Sequence, residues 1–534
     1  MDNSGQTAFF AQMMHPSFYP HPVIAVDTRE THISKVFLTG DYVYKIKKPL
    51  NLEFLDFTTL ENRRHFCLQE LALNRRLSRN VYLDVVSITS HNGEYGIDGQ
   101  GEIVEYAVKM RQLPENAAMT YLLRAGKLGL ADMINLSGIL TDFYTRTDPD
   151  TRSTGPGAWE TVVENCEENF RQMAPFSGQV LDDRVFQIIR AAVRSFLHRR
   201  KSLFDERVRG GKIRDCHGDL KTGHVYFTDD GIEIIDCIEF NERFRFQDIA
   251  SDLAFLAMDM DFEGWSGMAG NLISDYIRRT MDSDIFVLLD FYKCYRAAVR
   301  CKINCIRIGE GGLANTEMAH LIAETRKYLE LACQYAAQFT RPMLWVVCGL
   351  PASGKSAISG ELAKIFGIQA FNSDVIRKRL FGAPHEIHLS LAPEASASLY
   401  SVDATALTYG RLLLLVQKEM EKGDSAILDA TFSYARHRRE AMRLAKDMDA
   451  DIIFVECVLR DDLLKKRLLE REKTGSVSDA RIRHFEYFKN RFEPLTGIPE
   501  SMHVTVDTEA SLDACVGKIL VFKNQRGFAI NPLP

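Results

Sequence analysis

The chain has 534 residues and a mass of 60.6 kDa, three to four times the usual size of one compact domain, so two or more domains are expected. With 46% hydrophobic and 26% charged residues it is not a largely disordered chain. A net charge of −6 and a pI of about 6.2 supply no bulk cationic field for a phosphate backbone; nucleic acid is not an expected partner, although a local basic groove stays open.

In chain order, Met1–Tyr19 lacks the basic and apolar regions of a secretion signal. Val23–Val26, Ser34–Leu38 and Tyr42–Ile46 are rich in strand formers, with Gly40-Asp41 as a hairpin turn. Leu60–Leu77 reads as a helix, and strands resume at Val81–Ile88 and Ile103–Met110 across a turn-rich His91–Gly101. From Ala117 to Phe204 the pattern is helical, broken by the Pro-, Gly- and Ser-bearing Asp148–Gly157. A short strand-rich patch, Ile213–Ile238, precedes helices from Ile249 to Phe339. Proline at 342 disfavours helix at Arg341, which predicts a domain boundary there: 1–340, then 341–534.

Beyond it, strands at Leu344–Val347, Ser425–Leu428 and Asp451–Val458 alternate with helices, the pattern of a parallel, doubly wound α/β sheet. No apolar run, Met343–Cys348 included, approaches the roughly 20 residues that span a bilayer, so no membrane partner is expected. The eleven cysteines form no Cys-x-x-Cys pairs; Cys301 and Cys305 come closest, and buried thiols in a reducing cytoplasm are expected.

Two motifs carry chemistry. The first, Gly349-Leu-Pro-Ala-Ser353-Gly354-Lys355-Ser356, lies between an apolar strand and a helical run. Its glycines let backbone N–H groups wrap phosphates, Lys355 reaches the β- and γ-phosphates of ATP, and Ser356 ligates Mg²⁺. Downstream, Asn372-Ser373-Asp374 with Arg377 one turn on offers a carboxylate for a hydroxyl proton and an arginine for the acceptor. The plainer alternative has Ser373 or Asp374 capping a helix. Asp429 ends an apolar strand as a metal-binding carboxylate would, or as a turn residue. Arg467 and Arg471 share a helix face and form either a lid over ATP phosphates or a solvated stripe.

Residues 343 to about 520 resemble the P-loop kinase family that includes polynucleotide 5′-kinases, gluconate kinases and zeta-type toxins, which implies phosphoryl transfer from ATP to a hydroxyl.

The second motif is Cys216-His217-Gly218-Asp219-Leu220, followed by Ile234-Ile235-Asp236. Residues 1 to about 330 resemble aminoglycoside phosphotransferases and, more remotely, protein kinases. The resemblance implies an α+β fold with a β-rich N-lobe (about 20–115) and a helical C-lobe (about 116–340). It places His217 and Asp219 in the catalytic loop, Asp236 on Mg²⁺, and Lys45 with Glu70 as the ion pair that orients ATP, with Lys47 the alternative lysine. Met110–Glu115 takes the place of the adenine-reading hinge, and Asp252 that of an anchor for the catalytic loop.

The chain departs from the pattern twice. Asp27–Ser34 replaces a glycine-rich loop, and His224 stands where a metal-binding Asn is usual. His224 either hydrogen-bonds Asp219 or selects a softer ion such as Mn²⁺.

Nearly the whole chain is similar to a bacterial family of bifunctional aminoglycoside phosphotransferase-like and ATP-binding proteins. This implies a cytoplasmic kinase with two ATP sites acting on small-molecule hydroxyls. Two alternatives are a regulatory or toxin-like protein with one active P-loop head, and a polynucleotide 5′-kinase using Arg436, His437, Arg438 and Arg439 as a strand channel. The acidic, aromatic stretch Asp259–Trp265 is either a site for a cationic acceptor or a solvated turn. Oligomeric state and the acceptors are not encoded in any motif.

Overall fold

The computed structural model describes residues 9–31, 33–52, 55–152, 155–381, 401–474, 482 and 485–526; the side chains of 52, 471–474 and 524–526 lie outside the described set. The chain divides into two compact units, 1–280 with 291–335 and 281–290 with 336–534. No helix among the described residues is long and apolar enough to cross a membrane.

The first unit opens with β1 (Asp27–Glu30), β2 (Ser34–Leu38) and β3 (Tyr42–Lys47), then the short pairing of β4 (Asn51–Leu52) with β5 (Leu55–Asp56). The helix Leu60–Asn74 follows, started by Thr59, whose side chain accepts the Asn62 N–H. The strands β6 (Tyr82–His91), β7 (Glu94–Ile97) and β8 (Glu102–Arg111) complete an antiparallel sheet of order β1-β2-β3-β8-β6-β7. Phe37, Tyr44, Ile46, Val86, Ile88 and Ala107 pack one of its cores, and Val43, Cys67, Leu71, Tyr82 and Val108 another.

Two local readings change. Val23–Val26 is not a strand; Pro22 has no N–H for a ladder, and pairing begins at the polar Asp27, opposite Leu38. The turn-rich His91–Gly101 contains β7, because Asn92 (φ 52°) and Gly93 (φ 87°) take the left-handed pair of a two-residue hairpin.

After Arg111 the unit is mainly helical and carries two small sheets. In these, β9 (Ile213–Asp215) pairs with β12 (Phe246–Asp248), and β10 (Val225–Thr228) with β11 (Gly231–Ile234). The first unit thus has the expected β-rich part followed by a helical part.

The second unit is α/β. The strands β13 (Met343–Cys348), β14 (Gln369–Asn372), β15 (Ala426–Asp429), β16 (Asp451–Val458) and β17 (His503–Asp507) form a wholly parallel sheet of order β14-β15-β13-β16-β17. Burial on both faces explains the unbroken apolar run of β13, where Leu344 to Cys348 are at most 1% exposed. The P-loop leaves this central strand, and the ends of β14 and β15 lie beside it.

Candidate active sites

In the first unit, Lys45 and Lys47 lie on β3, an interior strand, so neither is the solvated edge residue that a lone strand lysine would be. Lys45 Nζ lies 2.8 Å from Glu70 Oε1 and 2.6 Å from Asp236 Oδ1. Lys47 Nζ lies 2.8 Å from Glu70 Oε2 and also pairs with Glu239. Burial disfavours charge on Lys45, but the Asp236 and Glu70 carboxylates outweigh it and hold its pKa well above the usual lysine range. Only Lys45 bridges to Asp236; Lys47 is wholly enclosed.

The loop His217–Leu220 is suspended from Asp252. Its two carboxylate oxygens accept the backbone N–H groups of His217 (3.0 Å) and Gly218 (2.9 Å), and Tyr144 donates to it at 2.9 Å. Gly218 sits at φ +89°, where a Cβ would meet Ile238 at 3.0 Å, so the turn admits little else. Arg296 braces the same turn by donating to the Gly218 carbonyl at 3.2 Å.

His217 is fully buried, with Nε2 2.9 Å from the Ile235 carbonyl and Nδ1 receiving the Asp219 N–H at 3.2 Å. Both ring nitrogens are occupied by backbone, an arrangement suited to positioning the loop.

Asp219, His224 and Asp236 converge, and one ligand atom from each lies within 4.8 Å of the others. His224 Nδ1 is 3.0 Å from the Asp219 carbonyl, which only accepts, so Nδ1 carries the proton and Nε2 presents its lone pair 3.4 Å from Asp236 Oδ2. Burial, then the neighbouring Lys221, lowers the His224 pKa to about 4, so the ring is neutral at pH 7. Asp219 is half-buried; desolvation raises its pKa, but Lys221, with Nζ 2.9 Å away, and His224 outweigh it and hold its pKa below the usual range. Lys221 was not singled out in the sequence; the signal was its place two residues after Asp219. Asp236 adopts φ 67°, a strained conformation that turns its carboxylate toward Lys45.

The acids of the stretch 259–265 are engaged by neighbouring side chains. Asp259 accepts the Thr222 N–H and hydroxyl, Asp261 pairs with Lys293 and Tyr335, and Glu263 pairs with Arg124. These acids hold the chain just after the loop His217–Leu220 and the helices around it. Glu115, at the end of the expected hinge, pairs with Arg29 of β1.

In the second unit the loop from Gly349 to Ser356 closes through Gly349 (φ 135°) and Gly354 (φ 88°). A Cβ on Gly349 would lie 2.4 Å from the Cys457 carbonyl, so β16 dictates glycine there. Ser353 is buried, and Lys355 Nζ folds back onto the carbonyls of Gly349 (3.0 Å) and Leu350 (2.8 Å).

Asn372, the last residue of β14, organises the rest. Its amide nitrogen donates to Asp429 Oδ2 at 2.7 Å and reaches Ser356 Oγ at 3.4 Å, while its oxygen accepts the Asp374 N–H at 2.9 Å. Asn372 therefore starts the helix Ser373–Phe381, and neither Ser373 nor Asp374 is needed as its cap. The Asp374 carboxylate instead meets Arg377 at 3.2 Å. Asp429 is 3% exposed, and burial raises its pKa against the pull of Lys355.

Arg467 donates to the carbonyls of Thr508 (2.9 Å) and Ala352 (3.5 Å), lying against the P-loop rather than in solvent. The Arg471 side chain lies outside the described residues. Of the four residues of the alternative strand channel, His437 is buried and stacked on Tyr409, Arg438 is buried on the Phe432 and Pro494 carbonyls, and Arg436 and Arg439 are at the surface.

Residues 344–495 match the family model described as an AAA domain. Uncharacterized proteins of Mycobacterium tuberculosis and Mycobacterium bovis are each 31% identical to the chain over 469 residues, covering 86% of it and 89% of their own length. The chain belongs to their family. Among solved structures, a gluconokinase from Sinorhizobium meliloti is similar over 34% of the chain and 93% of its own (17% identity, TM-score 0.25). A Plasmodium vivax ethanolamine kinase is similar over 62% and 89% (10% identity, TM-score 0.39). The mycobacterial proteins thus share both units, since their match is longer than either unit alone.

Proposed function

We propose that the chain is a bifunctional ATP-dependent phosphotransferase, with a separate ATP site in each unit and small-molecule hydroxyls as acceptors. One observation carries the reading. Each unit sets a lysine for phosphates, a strand-end carboxylate for a metal and a second carboxylate for a hydroxyl into one site. These are Lys45, Asp236 and Asp219 in the first unit, and Lys355, Asp429 and Asp374 in the second.

In each head the acceptor oxygen forms a bond to the γ-phosphorus as the bond to the β–γ bridging oxygen breaks, and ADP leaves. The hydroxyl proton passes to Asp219 or Asp374. Lys45, held by Glu70, and Lys355 carry phosphate charge. The donor sets fit a divalent ion: Asp236, Asp219 and the neutral His224 in one head, Ser356 and Asp429 in the other. When bound, Mg²⁺ offsets the charge of the β- and γ-phosphates; the imidazole of His224 also suits Mn²⁺.

A second reading, that only the P-loop head transfers phosphate, is favoured by the two lysines already paired with Asp219 and Asp236. ATP-dependent transfer into a fractionated metabolite pool, followed by mass spectrometry, separates the two. Asp219→Ala and Lys355→Ala are expected to remove different products, or to stall successive steps of one. An effect of Lys355→Ala alone makes the first unit a sensor.

A further inference from the structure

The cavity of the second unit is lined by cations besides the phosphate-loop lysine. The cavity, about 110 Å³, is lined by Lys355 and Ser356, by Asp374 and Arg377, and further by Tyr434 with Arg436 and Tyr487 with Arg491. Lys355 belongs to the ATP phosphates, and Arg377 is engaged by Asp374. Arg436 and Arg491 reach the same space from the helices Ala435–Asp447 and Phe485–Arg491, and both are exposed.

Each of these guanidiniums is held over an aromatic ring. Arg436 Cζ lies 5.2 Å from the Tyr434 ring centre, and Arg491 Cζ lies 4.1 Å from that of Tyr487, whose hydroxyl it also contacts. The ring contact restricts each guanidinium, and Arg436 Nε also donates to His437 Nε2 at 3.3 Å, which leaves its terminal N–H groups to donate. Among the described residues neither arginine forms an ion pair. The nearby acids are engaged elsewhere: Glu493 accepts the Ala435 N–H at 2.6 Å, Glu440 pairs with His437, Asp429 takes Asn372, and Asp374 takes Arg377. Two planar donors, pre-oriented over tyrosines and facing one cavity, are suited to a carboxylate or phosphate.

We infer that the acceptor of the P-loop head is an anion: a small hydroxyl compound whose carboxylate or phosphate is gripped by Arg436 and Arg491 while its hydroxyl lies at Asp374. This rests on the P-loop head being a phosphotransferase. The anion subsite uses residues other than those of the phosphate loop, so its occupant is expected to bind together with ADP rather than against it.

The test uses the full chain saturated with ADP and Mg²⁺, which fills the phosphate loop, and matched probes measured by calorimetry. These are gluconate against glucose, and glycerol 3-phosphate and ribose 5-phosphate against glycerol and ribose. At least one anionic member is expected to bind about tenfold or more tighter than its neutral partner, a difference of about 1.4 kcal/mol. Whether gluconate or the phosphate esters lead identifies the anion. Arg436→Gln with Arg491→Gln is expected to erase that difference while ADP affinity, which also reports folding, stays within about twofold. Arg436→Lys with Arg491→Lys is expected to restore part of it, since charge returns without the planar fork.

Equal binding of charged and neutral members, binding of neither, or a preference that survives the double Gln variant overturns the inference. The kinase reading fails separately. Anion binding with no phosphate transfer to any probe or metabolite removes that reading and leaves the subsite, whereas transfer to neutral acceptors alone removes the subsite and leaves the kinase.

Discussion

Lys45 and Lys47, two residues apart on β3, share the carboxylate of Glu70, one on each oxygen at 2.8 Å. Alternation along a strand puts both lysines on one face, and burial of the carboxylate between them makes the three a unit. Their further partners separate their tasks, because Lys45 goes on to Asp236 and Lys47 to Glu239.

Lys45→Met is therefore expected to abolish transfer by the first head with little change in its unfolding midpoint. Lys47→Met leaves Glu239 buried and without its lysine, and is expected to destabilise the first unit by about 3 kcal/mol or more. Urea unfolding of both variants, beside product analysis, checks the division. A Lys47→Met protein as stable as wild type would show that the enclosed lysine holds nothing.

The loop His217–Leu220, suspended from Asp252, makes a second expectation. Asp252→Ala strips the acceptor from two buried N–H groups and the Tyr144 hydroxyl, at about 1–3 kcal/mol for each group left unpaired. The first head is expected to lose activity at least as fully as in Asp219→Ala while the P-loop head keeps its own. Separate assays of the two products test this, and equal losses in both heads would contradict it.

At the P-loop site, Asn372→Ala removes a helix cap, about 1 kcal/mol, together with the donor to Asp429. Asn372→Asp keeps the cap but sets a second carboxylate against Asp429. The Ala variant is expected to be less stable, and the Asp variant to be stable with altered divalent-ion affinity. Thermal unfolding and titration with Mn²⁺ distinguish the two, and identical behaviour of the variants would remove Asn372 from the site.

His437 supplies a pH dependence. Burial lowers its pKa, against the pull of Glu440, so the folded chain takes up its proton at lower pH than the unfolded chain does. In that window the unfolded state binds more protons, and stability rises with pH. The contribution is complete above the unfolded value of about 6.5 and is lost as pH falls below it, by at most about 1.4 kcal/mol per pH unit. His437→Phe, which can keep the stack on Tyr409, is expected to flatten that part of the stability curve of the second unit. A slope identical to wild type between about pH 6.5 and 5 would count against it.

Much of the site was readable because its chemistry is local in sequence. The loop from Gly349 to Ser356 needs glycines at fixed spacing, and His217-Gly218-Asp219 needs one left-handed turn beside a carboxylate. What stayed hidden is non-local. Nothing in the sequence says that Asn372 caps its own helix and also donates to Asp429, 57 positions away, because adjacency of β14 and β15 is a property of the sheet. The same holds for Arg436 to Arg439, four neighbours in sequence: helical rotation turns His437 and Arg438 inward and leaves Arg436 beside the cavity.

The sequence by itself determined the fold classes and the phosphate loop, because strand and helix periodicity and glycine spacing are set by backbone geometry within a few residues. Tertiary structure alone decided which lysine meets Asp236, that both ring nitrogens of His217 are taken by backbone, and that the acids of 259–265 are already engaged. Those outcomes depend on burial and on partners brought from distant elements. An ionisable side chain is assigned its task by which counter-charges share its low-dielectric surroundings, and only packing selects them.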